Sequence, residues 1–204
     1  MWTTIAIERG TLADDLTGLP PDAWATRSLC DEWTVQDVLG HMTSTATLTP
    51  PKFMAGFVGA GFNFSKFGAK GIARHRGGSP EEALANFRAQ QTSTSSPPGP
   101  KLSWLGETIV HAEDIRRPLG IQHDYPEDAV QSVLDFYKGS NTLIGTKNRI
   151  AGLALKATNT EWSHGSGPLV EGPILSLLVA AAGRAEACAD LTGDGVETLR
   201  SRAS

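Results

Sequence analysis

The sequence predicts a mainly α protein: a bundle of four or five helices over residues 1–144, then a small α/β extension, strand–strand–helix, over 145–204. Three observations lead there. Up to residue 139 apolar residues recur at helical spacing between caps and prolines. From residue 150 the pattern turns to short β-rich runs around glycines. The 204 residues are 40% hydrophobic and 20% charged, which suits a soluble globular chain able to bury roughly 70% of its unfolded surface without staples.

Residues 2–16 read as the first helix, with Ile5, Leu12 and Leu16 as its stripe and Pro20-Pro21 ending the segment. Thr34 can cap a second helix, in which Val35, Val38 and Leu39 are apolar. Asp37 lies in its first turn, where a negative charge meets the positive helix end, and Pro50-Pro51 stop it. Ser79-Pro80-Glu81-Glu82 joins a cap, an early proline and a capping-box acid three residues after the serine, opening a helix to about Gln91. The run QTSTSSPPGP (91–100) is connector. Two more helices cover 103–117, closed by Pro118 and Gly120, and 126–139, closed by glycine. IAGLALKAT (150–158) and EWSHGSGPLVEG (161–172) read as two short strands around a Gly-rich turn, and Ile174 to Asp190 returns to helix.

Lys plus Arg number 18 against 22 Asp plus Glu, a net charge of −4. That balance offers no field for a polyanion, so nucleic acid is excluded as a general partner. Cys30 and Cys188 form no paired-cysteine motif, so a reducing, cytoplasmic setting is expected rather than a disulfide framework. The start, MWTTIAIERG, lacks a basic leader segment and places Glu8 and Arg9 where a signal peptide is apolar. The longest apolar run, Ile174 to Ala182, falls far short of the ~20 residues that span a bilayer. No membrane partner is expected.

Glu107 and His111 stand four residues apart on one predicted helix, only ~40° apart around its axis. Asp114 falls within roughly 20° of Glu107 on the other side. The face includes Trp104 and abuts Val110, so it should point inward, where carboxylates need a partner. Such a face suits a divalent metal or a buried acid–base site. His41, on the helix opened by Thr34, is the obvious third ligand, because bundle metal sites are built from facing helices. Two histidines and a glutamate leave a position open to water or substrate, as in catalytic zinc sites. The same residues also fit an exposed i, i+4 pair and a satisfied core histidine, and the spacing alone leaves both readings open.

SLCDEWTVQDVLGHM (28–42) resembles the N-terminal signature of the mycothiol-dependent maleylpyruvate isomerase family, within the DinB-like helical-bundle superfamily. Cys30, Trp33, Thr34-Val35, Asp37 and His41 carry that resemblance. GETIVHAEDIRRPLG (106–120) resembles the family's second metal motif, and GPILSLLVAAAGRAEACADLTGDG (172–195) is similar to its C-terminal helix, whose apolar run ends here in Gly183-Arg184. The resemblance implies a DinB-like four-helix bundle, a zinc ion on His41, Glu107 and His111, and a low-molecular-weight thiol of the mycothiol kind as cosubstrate. A zinc ion favours the thiolate at neutral pH. In the isomerase that thiolate adds to a cis double bond, the bond rotates, and loss of thiol gives the trans product.

Arg184, where it reaches the cleft, is expected to bind a substrate carboxylate in a bidentate fork; the plainer reading is a capping or salt-bridging arginine near a helix end. Asp114 either orients His111 or pairs with Arg116 or Arg117. The expected function is therefore a thiol-dependent metalloenzyme of isomerase or S-transferase type. A metal- or thiol-binding module without turnover and a hydrolase activating water are the alternatives. Nickel, iron and manganese also accept the donor set, and a homodimer is compatible with bundles of this kind. The segment after 145 reads as trimmed relative to the isomerase's C-terminal domain.

Residues 52–76 hold Lys52, Lys66, Lys70, Arg74 and Arg76, no acid, and five of the seven Phe residues. They read either as a lid walling a cleft for an anionic substrate or as a core-packing helix with a basic outer face, with Gly56, Gly59 and Gly61 as close-packing points. A membrane-surface role ranks third, because the net charge is negative. Cys30 is expected as a buried structural cysteine and Cys188 as core. His75 and His123 are expected to face solvent, His164 to overhang the cleft at most, and Trp24, Trp33, Trp104 and Trp162 to serve packing.

Overall fold

Thr34 opens the helix around which the first half of the chain is built. Its hydroxyl accepts from Asp37 N at 3.2 Å while the Asp37 carboxylate accepts from Thr34 N at 3.1 Å, so both ends of a capping box are closed. The structure, a computed structural model, describes residues 1–30, 33–141 and 144–203; Asp31 and Glu32 of the 28–42 motif lie outside the described residues. The chain divides into two compact units, Met1–His123 and Asp124–Ser204.

The first unit contains α1 (Trp2–Asp15), α2 (Pro21–Trp24), α3 (Val35–Thr47), α4 (Pro50–Gly59), α5 (Phe64–His75), α6 (Pro80–Arg88) and α7 (Lys101–Arg116). Four of these close a ring: α1 packs on α7, α7 on α3, α3 on α6, and α6 on α1. Ile5 and Leu12 of α1, Leu39 and Met42 of α3, Phe87 of α6 and Ile109 of α7 fill its interior. Arg116 Nε donates to Asp15 Oδ2 at 2.8 Å and ties α7 to the end of α1. Ser79 caps α6, but Glu82 reaches back to Gly78 N at 2.7 Å instead of the cap's own N–H.

Pro50-Pro51 end α3 as expected and also start α4, because a proline in the first turn loses no helical hydrogen bond. Residues 52–76 are thus a helical hairpin, α4 and α5. The core-packing reading fails for it: α4 has no buried residue within its span, and α5 buries only Ile72. What holds the hairpin is the approach of α5 to α3. A Cβ on Gly40 would lie 2.9 Å from Arg76 Cα, and one on Gly71 would lie 2.5 Å from Ser44 Oγ.

The second unit contains α8 (Glu127–Tyr137), α9 (Thr146–Arg149), β1 (Ala154–Ala157), β2 (Ser163–Gly165), β3 (Leu169–Gly172), α10 (Ile174–Ala181), a 3₁₀ helix (Ala185–Asp190) and α11 (Val196–Arg202). Helix α8 packs on α10, so the division falls at 123/124 and α8 joins the extension, ahead of the expected boundary at 145. The sheet has three strands in the order β2-β1-β3, with β1 antiparallel to β2 and parallel to β3. Residues 161–172 yield two strands because Gly165 (φ +81°) and Gly167 (φ +127°) turn the chain back between them. Gly183, at φ +105°, likewise stops α10, and the residues from Ala185 to Asp190 continue as 3₁₀ helix.

The Gly40 contact is with backbone, which cannot swing aside. Gly40→Ala should therefore cost about 1–3 kcal/mol, read as a lower urea midpoint at unchanged m-value. Gly68, inside α5 with open space around it, is the control: Gly68→Ala should stabilise by roughly 0.5–1 kcal/mol. Equal effects of the two changes would refute the close-approach explanation.

Candidate metal centre

His41 projects from α3, and Glu107 and His111 from α7, two helices that pack against each other. Their ligand atoms all lie within 4.8 Å of one another. His41 Nε2 is 3.9 Å from Glu107 Oε1, and the imidazoles of His41 and His111 meet edge to face with centroids 4.8 Å apart. The structure thus brings together the three residues that the sequence nominates, partly open to solvent: the His41 side chain keeps 26% of its surface exposed and Glu107 11%.

Both Glu107 carboxylate oxygens are nonetheless sealed from water, and neither has a hydrogen-bond partner among the described residues. The nearby Thr45 hydroxyl favours the ionised form, but it donates to His41 O at 3.1 Å. Burial pushes the Glu107 carboxyl above its ordinary range, opposed by the charges of His111 and Arg9. A buried carboxylate with orphaned oxygens beside two imidazoles fits a divalent cation.

His111 Nδ1 and Asp114 Oδ2 are 2.8 Å apart, and Asp114 is fully buried. Of the two roles expected for Asp114, the contact with His111 is present; Arg116 pairs with Asp15 and Arg117 with Glu113, the latter at 2.8 Å. Such a carboxylate fixes the ring and its tautomer. Leu29 N donates to Asp114 O at 3.1 Å and pins residues 28–30 to α7. Trp33, just before α3, lies against both imidazoles, with centroids 5.0 Å from His41 and 6.3 Å from His111. Trp33 is therefore part of the centre's wall and not packing alone.

Cys30 corrects its expectation too. It is half-buried, and its sulfur lies within 4.8 Å of ligand atoms of His111 and Asp114. Arg9 went unnoticed as a site residue. It is buried on α1, donates to Gln90 O at 3.3 Å and Ser93 O at 3.0 Å, and sets its charge against Glu107. The signal was available, since Arg9 continues the stripe of Ile5, Leu12 and Leu16 at a core-facing position. His123 does not face solvent: its Nε2 lies 2.7 Å from the buried Glu8 carboxylate. His75 ends α5 half-buried.

In the second unit Arg184 follows α10 and donates to Ala182 O at 3.0 Å, the contact of a helix-end arginine. Its charge also presses on Arg149, whose guanidinium burial already disfavours. His164 sits on β2 opposite Leu155, and Cys188 is core.

Residues 5–96 match the family described as mycothiol maleylpyruvate isomerase N-terminal domain. The match lies within the first unit and spans 92 of the 204 residues, so it is a likeness of that part of the chain. Two crystal structures of the mycothiol-dependent maleylpyruvate isomerase are similar to the chain as well. One, of a histidine-to-alanine mutant, has a TM-score of 0.62 at 15% identity, covering 95% of this chain and 91% of that one. The other has a TM-score of 0.60 at 12% identity with the same coverage. At such identity the likeness establishes the fold, a DinB-like helical bundle with an α/β extension. The 91% coverage also corrects the expectation that the family's C-terminal part is trimmed here. No curated protein matches the chain.

The raised Glu107 carboxyl gives the metal-free protein a pH dependence of definite sign. The fold binds this proton more tightly than the unfolded chain does. Its contribution to stability is therefore complete below the ordinary carboxylate range and is lost as pH rises through the raised value. In chelator-treated protein Glu107→Gln should remove that slope and raise the urea midpoint at neutral pH. A variant that keeps the wild-type slope would assign it to another group.

Proposed function

We propose that this protein is a thiol-dependent metalloenzyme of isomerase or S-transferase type, with His41, Glu107 and His111 holding a divalent cation, zinc by preference. The observation behind this reading is the Glu107 carboxylate, buried beside two imidazoles with neither oxygen hydrogen-bonded among the described residues. When bound, the cation supplies positive charge that favours the thiolate form of a small thiol at neutral pH. The family, and the mycothiol-dependent enzyme whose structures are similar, support a thiol of the mycothiol class. The other substrate is an electrophilic small molecule.

The chain's own residues divide the remaining work. Asp114 holds His111 through Nδ1 and leaves Nε2 for the cation. Arg9 sets positive charge toward Glu107 and favours its ionised form, opposing the larger effect of burial. Trp33 shields one side of both imidazoles from water. We assign Arg184 the substrate carboxylate, through its planar fork.

Elemental mass spectrometry on protein purified without added metal tests the ligands. Wild type and His75→Ala should carry about one zinc per chain, whereas His41→Ala, Glu107→Ala and His111→Ala should each lose it. Asp114→Asn should weaken zinc affinity by ~10–100-fold. Equal zinc in all variants, or none in wild type after zinc loading, would sink the site.

Turnover tests the reaction. Loss of an electrophile should require added thiol, and Arg184→Ala should impair use of a carboxylate substrate at unchanged zinc content. Activity in thiol-free buffer would point to a hydrolase, and saturable thiol binding without any reaction to a non-catalytic module.

A further inference from the structure

The hairpin α4–α5 lies outside the closed helical ring, and its outer face is apolar. Phe62 is 66% exposed, Phe64 59%, Val58 52% and Met54 50%. Inner rings build a support beneath them: Phe57 packs on Phe64 with centroids 4.4 Å apart, and Phe53 on Phe67 at 5.3 Å. The tip itself is held against its preference. Phe62 adopts φ 59°, the left-handed region that a bulky L side chain avoids, and its N–H bonds to Phe57 O at 3.0 Å. A soluble surface has no use for a phenyl ring kept outward in a strained turn, and an exposed apolar patch of this kind marks an interaction site.

The charge around the patch names its occupant. Lys66, Lys70 and Arg74 recur every four residues along α5, Lys52 stands in the first turn of α4, and all 22 Asp and Glu lie outside residues 52–76. Lys70 bridges the two helices by donating to Gly59 O at 3.1 Å. Arg76, at the base, is engaged with Asp37 at 3.4 Å.

We propose that this hairpin docks the protein peripherally on an anionic lipid surface, its Phe tip at the acyl boundary and its lysines and Arg74 at the phosphates. A second copy fits less well, since a symmetric pair across this face sets its cations against one another. Averaged over the chain, charge argues against a membrane partner; resolved by position, it orients a net-negative protein with this one face toward the lipid. No described helix is long and apolar enough to cross a membrane, and peripheral docking requires none.

Co-sedimentation with vesicles tests the proposal, using phosphatidylcholine alone and phosphatidylcholine mixed with phosphatidylglycerol. Wild type should pellet with the mixed vesicles, less so at high salt, and stay in solution with phosphatidylcholine alone. Phe62→Glu combined with Phe64→Glu should lower partitioning by about tenfold or more, and Lys66→Gln and Arg74→Gln by roughly fivefold each. Met54→Asp, at an exposed helix position, is an independent variant should the double one fold poorly, with unfolding midpoint and zinc content as controls.

Wild type remaining in solution with both vesicles would overturn the proposal, as would wild-type binding by the Phe or Met54 variants. Binding indifferent to phosphatidylglycerol and salt would overturn it too. A dimer in solution that the Phe variant dissociates, without vesicle binding, would give the face to a second copy.

Discussion

A carboxylate out of reach of water and without a hydrogen bond must take up a proton or be met by positive charge. Glu107 is in that position, and much of the first unit is arranged around it. Helix α1 contributes Arg9, whose own carbonyl partners come from the end of the α6 region. Helix α3 contributes His41, with its start fixed by the Thr34 capping box. Helix α7 contributes His111, whose ring is set by Asp114 one turn further on. The four-helix ring and the charge balance at its centre therefore depend on the same few side chains.

The nearness of Glu107 and His111 was legible because helical spacing is rigid: residues 107 and 111 share a face whatever surrounds them. The role of Asp114 was not. His111 and Arg117 both lie three residues from it, and local geometry treats them alike. The choice is made by Asp15, far away in sequence, which takes Arg116, and by Glu113, which takes Arg117. Arg9 shows the opposite case, a polar residue on an apolar stripe that a stricter reading of the first helix would have singled out. Trp33 and Cys30 lie outside the helices, with Leu29 next to Cys30 bonded to Asp114 O, and no periodicity reports the position of non-helical residues.

The fold was legible where caps and breakers agree with the apolar period, as in α1, α3, α6 and α7. It was misread where composition had to stand in for topology. Five phenylalanines within one segment suggest core, but the ring of α1, α7, α3 and α6 closes without that segment, so its aromatics had no interior left to fill. Residues 161–172 looked like one strand because alternation continues across Gly165 and Gly167, whose left-handed backbones turn the chain. Helix α11 was missed since only Val196 and Leu199 of its seven residues are buried, too few to establish a period.

All three nominated ligands, with Asp114 and Arg9, belong to residues 1–123, while the sheet and Arg184 belong to 124–204. Inheritance can therefore treat the two halves differently. On the proposed assignment of Arg184, drift in the residues after α10 would retune which molecules are accepted without passing through the nominated donors. A change at Gly40 or Asp114 falls instead on the helix packing and the histidine contact of the candidate centre. Across diverging copies of such a chain, the first unit is expected to age slowly and the second to supply the variety.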